Sequence, residues 1–409
     1  MKMKYDVIVV GGGASGMFAS ILCAKAGKKV LVLEHKNQLG KKLLATGNGK
    51  CNYTNMHMET ACFYSANEAF VAEALGQFSS RDTVEYMKNM GIYPKEKNGY
   101  VYPFSEQASA VQQVLEMEMK KWQVEVVYTH VKKIEKKEMF CVKTDQAAFC
   151  GKQVILATGG KSNEKLGADG SGYALAKQMG HRIIKPVPAL IGLHCEGDWF
   201  ASMAGVRMQA SVGICIEDKT HIAAQETGEL QLTAYGISGI PVFQVSRVAA
   251  RALAEHKKVY ALIDYMPAFT QDALLTELQA RFMREGQTAQ EVLVGLLPMK
   301  CIPVFLGISG IKANKLATKV NPQQVQQLLG NLKKKWLVIT DTNGFAQAQV
   351  TAGGVDLEEV EGATMESKLV EGLYFIGEIL DVDGICGGYN LQWCWTTAFI
   401  AGEAISKKK

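Results

Sequence analysis

The chain has 409 residues, of which 48% are hydrophobic, 21% charged and 8% aromatic, and at roughly 150 residues per domain it has room for two to three domains. That balance excludes a peptide hormone, a single small module, and a disordered or fibrous chain. The net charge of +5 comes from 45 basic against 40 acidic residues, and Lys407, Lys408 and Lys409 supply three of those units in what reads as a frayed tail, too little to argue for nucleic acid.

Met1 to Val10 mimics a signal peptide because lysines precede an apolar run, but Asp6 interrupts the run and glycines end it, so the start reads as structural. No stretch of about 20 apolar residues occurs, so no membrane span is expected. Tyr5 to Val10 reads as a short strand, Gly11-Gly12-Gly13-Ala14-Ser15-Gly16 as a turn, and Met17 to Ala26 as a helix ended by Gly27. Gly11, Gly13 and Gly16 fill the G-x-G-x-x-G spacing: tight turn, close backbone approach to a pyrophosphate, and packing of helix on strand. Lys29 to Leu33 reads as a second strand with Glu34 at its end, 34 − 13 = 21 residues beyond the middle glycine, where a carboxylate meets a ribose 2′-hydroxyl. An acid rather than an arginine there argues against NADP and leaves FAD and NAD.

Further along, Val154 to Ala157 reads as another buried strand closing on Thr158-Gly159-Gly160. Gly167-Ala168-Asp169-Gly170-Ser171-Gly172 has the glycine spacing reversed, so no dedicated nicotinamide domain is expected. Ile191 to Asp218 and Lys258 to Met266 alternate like strands, and Thr270 to Leu297 and Asn321 to Lys335 read as amphipathic helices. Pro241 suits the first turn of a helix running to Ala254. The expected organisation is a discontinuous cofactor domain, 1–190 with 332–409, a β-rich substrate domain, 191–268, and a helical subdomain, 269–331. Residues 373–378 repeat the strand, glycine and acid pattern and run through Asp381, Asp383, Gly384 and Gly387 to Asn390 into a helix, Leu391 to Ala404. One extended cofactor held by both ends of the chain accounts for this arrangement.

The ten cysteines show no C-x-x-C pair and no histidine stands at metal-ligand spacing, so they read as buried thiols in a reducing, cytoplasmic compartment, and no metal is expected. Cys386 stands in the C-terminal cofactor block without a partner cysteine. His181, His194 and His221 are isolated and read as structural. Tyr235, beside a glycine turn, is the one candidate proton donor.

Three blocks carry a wider resemblance: Gly40-Lys41-Lys42 through Thr46-Gly47-Asn48-Gly49-Lys50-Cys51-Asn52-Tyr53-Thr54-Asn55, then Asp169 to Tyr173 and Thr351 to Val355, together with the C-terminal stretch Gly377 to Gln392. In these the chain resembles the bacterial FAD flavoproteins that include aminoacetone oxidase and 3-dehydro-bile-acid reductase-like proteins. Many members carry arginine at the positions of Lys41 and Lys50 and histidine at that of Ala234; the lysines keep charge but lose the planar fork. The resemblance implies an α/β fold with a Rossmann-like FAD-binding domain of the glutathione-reductase type, an inserted β-rich substrate domain and a helical cap. Lys41 and Lys42 then face the pyrophosphate, and Thr46 and Asn52 add polar groups. Glu378 accepts from a ribityl hydroxyl, and the amides from Gly388 to Leu391 face the flavin pyrimidine. Ala14, Ser15, His35, Gly47, Val131, Ala157, Thr158, Gly159, Gly377, Asp383, Tyr389 and Asn390 complete the expected contacts. The implied activity is hydride transfer between FAD and a small organic substrate. Either a conjugated C=C bond of a 3-oxo steroid or bile-acid-like enone is reduced, or an amine or aminoketone is oxidised, with NAD(P)H as a transient electron donor. A non-catalytic regulatory or RNA-linked flavoprotein is the alternative; no nucleic-acid or membrane partner is expected.

Overall fold

The computed structural model describes residues 4–408, so the opening Met-Lys-Met of the signal-like segment and Lys409 of the basic tail lie outside the described residues. The chain divides into two compact units, Met1–Pro186 with Phe345–Lys409, and Val187–Gly344.

The first unit is built on a seven-stranded sheet. Its central strand, Lys4–Val10, runs parallel to Val30–Glu34 on one side and to Ala148–Leu156 on the other. These strands are covered on both faces, which is why they read as near-continuous apolar runs rather than alternating ones. Glu125–Tyr128 extends the sheet beyond Val30–Glu34, while Leu373–Phe375 joins the far half of Ala148–Leu156 in parallel. Two antiparallel strands, Phe140–Thr144 and Val131–Lys136, finish the other edge.

Helix Ala14–Lys25 packs against the C-terminal helix Tyr389–Lys407. Phe18 meets Trp395 edge-on at 5.6 Å, and both are fully buried. Each such side chain contributes about 1.5–3 kcal/mol through removal from water. Gly402 sets how close the helices come: a Cβ there would stand 2.8 Å from Leu22 Cβ. The C-terminal helix therefore starts two residues before the expected Leu391 and runs past Ala404. The basic tail is not frayed through Lys408, whose Nζ lies 2.6 and 2.8 Å from the Glu366 carboxylate oxygens.

The second unit is a closed six-stranded barrel, in the order Leu193–Cys195, Gly236–Gly239, Ala224–Thr233, Arg207–Ile216, Val259–Asp264 and Lys335–Thr342. Lys335–Thr342 pairs with both Val259–Asp264 and Leu193–Cys195, so it closes the barrel. The expected return to the cofactor domain at 332 is thus corrected to 345. The expected separate helical subdomain is corrected too. Helices Gln271–Phe282, Cys301–Ile308 and Pro322–Lys333 share one apolar cluster with the barrel, to which Leu278, Phe305 and Leu328 belong together with the strand residues Val212 and Ile263. The single helix expected over Thr270 to Leu297 stops at Phe282, and Gly286 and Gly295 in the segment beyond it take left-handed φ of 73° and 80°. Likewise the strand pattern from Ile191 is broken by Gly197 (φ 121°) and a helical turn at Phe200–Met203. Helix Ile240–Ala254 carries Pro241 in its first turn as expected.

Candidate functional site

A cleft of about 1140 Å³, counting its part open to solvent, lies in the first unit where the parallel strands end. At one end stands the glycine turn. Gly11 has φ 104°, and a Cβ on it would meet the Ala157 carbonyl oxygen at 2.5 Å, so the turn passes tightly beneath the neighbouring strand. A Cβ on Gly16 would meet the Gly11 carbonyl oxygen at 1.9 Å, whereas one on Gly13 would meet nothing within 4 Å. Gly16 seats the helix and Gly13 leaves room above it. The first turn of helix Ala14–Lys25 holds no acidic residue, and Ala14 and Ser15 line the cleft, so free amides at the positive helix end face it.

Glu34 is the last residue of its strand and is 7% exposed. One carboxylate oxygen accepts from Gly12 N at 2.7 Å and the other from Lys36 N at 2.7 Å, which fixes its aim. His35 lies between two acids, Nδ1 at 3.5 Å from Glu34 and Nε2 at 3.7 Å from Asp169. Burial pushes the Asp169 carboxyl up, but hydrogen bonds from Ser171 and the nearby His35 and His130 outweigh it and hold it below the usual carboxylate range.

Midway, Lys42 Nζ donates to Glu378 Oε2 at 2.8 Å, and Glu378 Oε1 accepts from Thr351 N at 2.9 Å. The two residues expected to serve different parts of the cofactor therefore pair with each other inside the cleft. Lys41, Thr46, Val131, Ala157, Thr158 and Gly159 also line it. The Thr158 hydroxyl is buried with no hydrogen-bond partner. At the far end are Asn390 and Leu391, whose first-turn amides have no partner within the helix.

Several expected contacts lie behind the wall instead. Gly377 (φ 73°) packs on Ser15, where a Cβ would stand 2.7 Å from the hydroxyl oxygen. Gly47 is pressed on Asn52 N, and Asp383 pairs with Tyr64 in a short antiparallel ribbon. Tyr389 is 6% exposed, its hydroxyl donating to the His57 carbonyl at 3.0 Å, so it is a wall residue rather than a lining one. The Asn390 side chain is spent on Gly384, accepting from its N and donating to its O at 2.8 Å each, which leaves only the Asn390 backbone for the cleft. Segment Asn52–Asn55 is latched to the C-terminal helix: Thr54 Oγ1 donates to Gln392 at 2.6 Å and Trp395 Nε1 to the Tyr53 carbonyl at 2.9 Å. Tyr235 belongs to the second unit and is not among the lining residues.

Lining residues that the motifs did not flag include His130, Gln38, Gln349 and Cys394. Cys394 could have been found by helical periodicity, since it follows Asn390 and Leu391 by four and three positions. Its thiol is pushed up to about 12 by burial, with Glu378 adding to the effect and Lys42 opposing it. All ten cysteines are free, and burial likewise raises Cys23, Cys51 and Cys386 to about 12. Ten thiols should titrate in denaturant without reductant, while these four stay nearly inert toward a thiolate-selective reagent in the native protein at neutral pH. Fast native labelling of Cys394, or fewer than ten thiols after unfolding, would contradict this.

Among the described residues no cluster of His, Cys, Asp or Glu could hold a metal, and no helix is long and apolar enough to cross a membrane. Helix-end amides, an anchored carboxylate, lysines and an unpartnered threonine hydroxyl together fit an elongated phosphate-bearing cofactor. Residues 5–404 match the family described as HI0933-like protein Rossmann domain. A 3-dehydro-bile acid delta(4,6)-reductase of Clostridium scindens is 43% identical, covering 98% of both chains. A ribosomal RNA dihydrouridine synthase of Haemophilus influenzae is 30% identical over 100% of both. In fold, the chain is similar to the 3-ketosteroid delta1-dehydrogenase of Sterolibacterium denitrificans, with a TM-score of 0.50, 14% identity and coverage of 99% of this chain and 100% of that one. The chain belongs to the HI0933-like Rossmann family and is a flavin-dependent oxidoreductase.

Proposed function

We propose that the protein is an FAD-dependent reductase of a C=C bond conjugated to a carbonyl, acting on a 3-oxo steroid or bile-acid-like enone. The observation that carries this reading is the whole-length 43% identity to a delta(4,6)-reductase, joined to a cleft with nucleotide-binding chemistry at one end and helix amides at the other. Glu34 takes the adenosine ribose, which selects FAD over FMN, and the Ala14 and Ser15 amides with Lys41 take the pyrophosphate. Lys42 and Glu378 share the stretch between pyrophosphate and ribityl chain, and the Asn390 and Leu391 amides face the pyrimidine. Bound in this way, FAD supplies the hydride. Its two electrons come from a nicotinamide nucleotide that binds transiently, and the proton that completes the saturated product comes from water. The free thiols support a cytoplasmic setting.

The 30% identity to a ribosomal RNA dihydrouridine synthase supports a second reading, in which the reduced bond lies in uracil. Both readings ask for the same chemistry, because uracil too has a C=C conjugated to a carbonyl. The net charge is only +5, three units of it from the terminal lysines, which supplies little of the phosphate attraction RNA binding draws on and leaves the small substrate favoured. The test is anaerobic. Enzyme reduced by NADH or NADPH is mixed in turn with a 3-oxo-4-ene steroid, a uridine-containing ribosomal RNA fragment and buffer, and oxidised enzyme is mixed with an aminoketone. Reoxidation by the steroid alone is the expected result. Reoxidation by RNA alone establishes the second reading, and bleaching by the aminoketone with reoxidation only by oxygen overturns both in favour of an oxidase.

A further inference from the structure

The antiparallel end of the sheet in the first unit brings two thiols face to face. Phe140–Thr144 and Ala148–Leu156 form a hairpin in which Cys141 stands directly opposite Cys150, with Val142 opposite Phe149. Residues directly opposite one another in an antiparallel pair project to the same face of the sheet. Burial shows which face it is. Phe140, Val142 and Phe149 are buried on one side, whereas Cys141 and Cys150 alternate with them and are half-buried on the more open side, where Lys143 and Lys152 follow them and are exposed.

The hydrogen-bond pattern of the hairpin sets their spacing. Thr144 N donates to the Ala147 carbonyl at 2.8 Å, so Thr144 turns its backbone groups toward the partner strand, and by alternation Val142 and Phe140 do the same. The residues between them turn away, as Asp145 N does in donating to the His130 carbonyl at 3.1 Å. Cys141 and Cys150 are therefore a pair without ladder hydrogen bonds between them. Such pairs stand about 4.5 Å apart between Cα atoms, with their side chains closer than in the hydrogen-bonded kind. A disulfide spans Cα separations of about 4.4–6.8 Å, so this position admits one without moving the strands apart. Both thiols are free in the structure.

We propose that Cys141 and Cys150 form a dithiol site that reacts with low-molecular-weight disulfides and closes reversibly into a cross-strand disulfide. One cysteine, as thiolate, attacks a sulfur of the small disulfide; the old S–S bond breaks and its electron pair leaves with one small thiolate. The second cysteine, also as thiolate, then attacks the protein sulfur of this mixed disulfide and expels the other small thiolate. The two cysteines together give up two electrons and two protons, and the small disulfide becomes two thiols. The ladder already holds the second sulfur beside the first, so the closing step needs no search. In a reducing compartment a bond of this kind is transient, the behaviour of a redox-sensing pair rather than of a structural bridge. No C-x-x-C spacing announces the pair; the hairpin alone creates it. The site lies wholly within the first unit and does not depend on which substrate the flavin serves.

The test uses flavin-loaded protein with its thiols reduced and the reductant removed. It is incubated with oxidised glutathione at mildly alkaline pH, quenched in acid, unfolded, and read by thiol titration and peptide mass mapping. Before exposure all ten thiols titrate. Afterwards the count falls by two, the intact mass drops by two hydrogens with no glutathione retained, and one cross-linked peptide joins Cys141 to Cys150. Dithiothreitol restores the full count. Neither Cys141→Ser nor Cys150→Ser forms the bond, and the variant that keeps the attacking sulfur stops with glutathione attached to it, which marks the missing partner as the resolving thiol. Circular dichroism confirms that both variants are folded. The bond forms about tenfold or more faster in the folded parent than in urea, because the ladder supplies the alignment. A parent that keeps all ten thiols, retains glutathione on Cys141 or Cys150, or links a different pair refutes the site. Equal rates in the folded and unfolded parent refute it as well.

Discussion

Gly388→Val should destabilise the protein by roughly 2–5 kcal/mol, the sum of about 1–2 for a left-handed backbone at a side-chain-bearing residue and about 1–3 for overpacking. Gly388 has φ 95°, and a Cβ on it would meet the Thr54 carbonyl oxygen at 2.6 Å and Asn52 Oδ1 at 2.9 Å. The glycine is therefore demanded by the chain's own backbone, not by an approaching ligand. Thr54 is latched to Gln392 in the first turn of the same helix, so pushing it aside also loosens the turn that carries the Asn390 and Leu391 amides. Urea unfolding of the holoenzyme measures the first effect. The second shows in whatever fraction still loads FAD. With amides displaced from the pyrimidine, the anionic reduced ring is less well stabilised, so the reduction potential falls and reduction by any effective donor slows. Equilibration against a dye of known potential checks it. A folded, loaded variant with the parent's midpoint rejects the electrostatic role of the helix end, and parent-like stability rejects the Thr54 contact.

The first 34 residues were legible because most of what they specify is contained within them. Strand, glycine turn, helix and second strand follow one another, and their contacts stay within this segment, Gly16 against the Gly11 carbonyl five residues back and the Glu34 carboxylate on the Gly12 amide; only the packing of Gly11 on Ala157 reaches beyond it. The C-terminal block was legible as a motif but not in its assignments. Nothing in Gly387-Gly388-Tyr389-Asn390 says that the Asn390 side chain is consumed by Gly384 or that the Tyr389 hydroxyl reaches back to His57. The pairing of Lys42 with Glu378 joins residues 336 positions apart, and a lysine read alone looks like a free cation. The barrel boundary failed for the same reason. Lys335–Thr342 has the pattern of any half-buried strand, and only its pairing with Leu193–Cys195, across more than a hundred residues, assigns it to the second unit. His194 read as isolated because its partners, Tyr235 and Asn343, are brought in by two different strands.

Glu34→Ala should lower FAD affinity by about 1–3 kcal/mol, the loss of a hydrogen bond between a charged carboxylate and a ribose hydroxyl, while leaving FMN affinity nearly unchanged because FMN carries no adenosine. The preference for FAD over FMN is therefore what collapses. The same substitution acts on the protein without cofactor, since the Glu34 carboxylate caps two backbone amides, Gly12 N and Lys36 N, at 2.7 Å each. Removing it leaves both donors without their anionic acceptor at a position only 7% exposed, at a cost of about 1–3 kcal/mol per donor. Glu34→Gln separates the two effects. Its amide retains one oxygen as an acceptor but turns an NH2 toward the other backbone donor, so stability falls less than with alanine while the turn is still disturbed. Flavin-free parent and variants are titrated with FAD and FMN by fluorescence quenching, and the same samples are unfolded in urea. Equal FAD affinity in parent and Glu34→Ala removes the ribose assignment. Lower FAD affinity with unchanged stability removes the structural half instead, and would mean that the two amides find water once the carboxylate is gone.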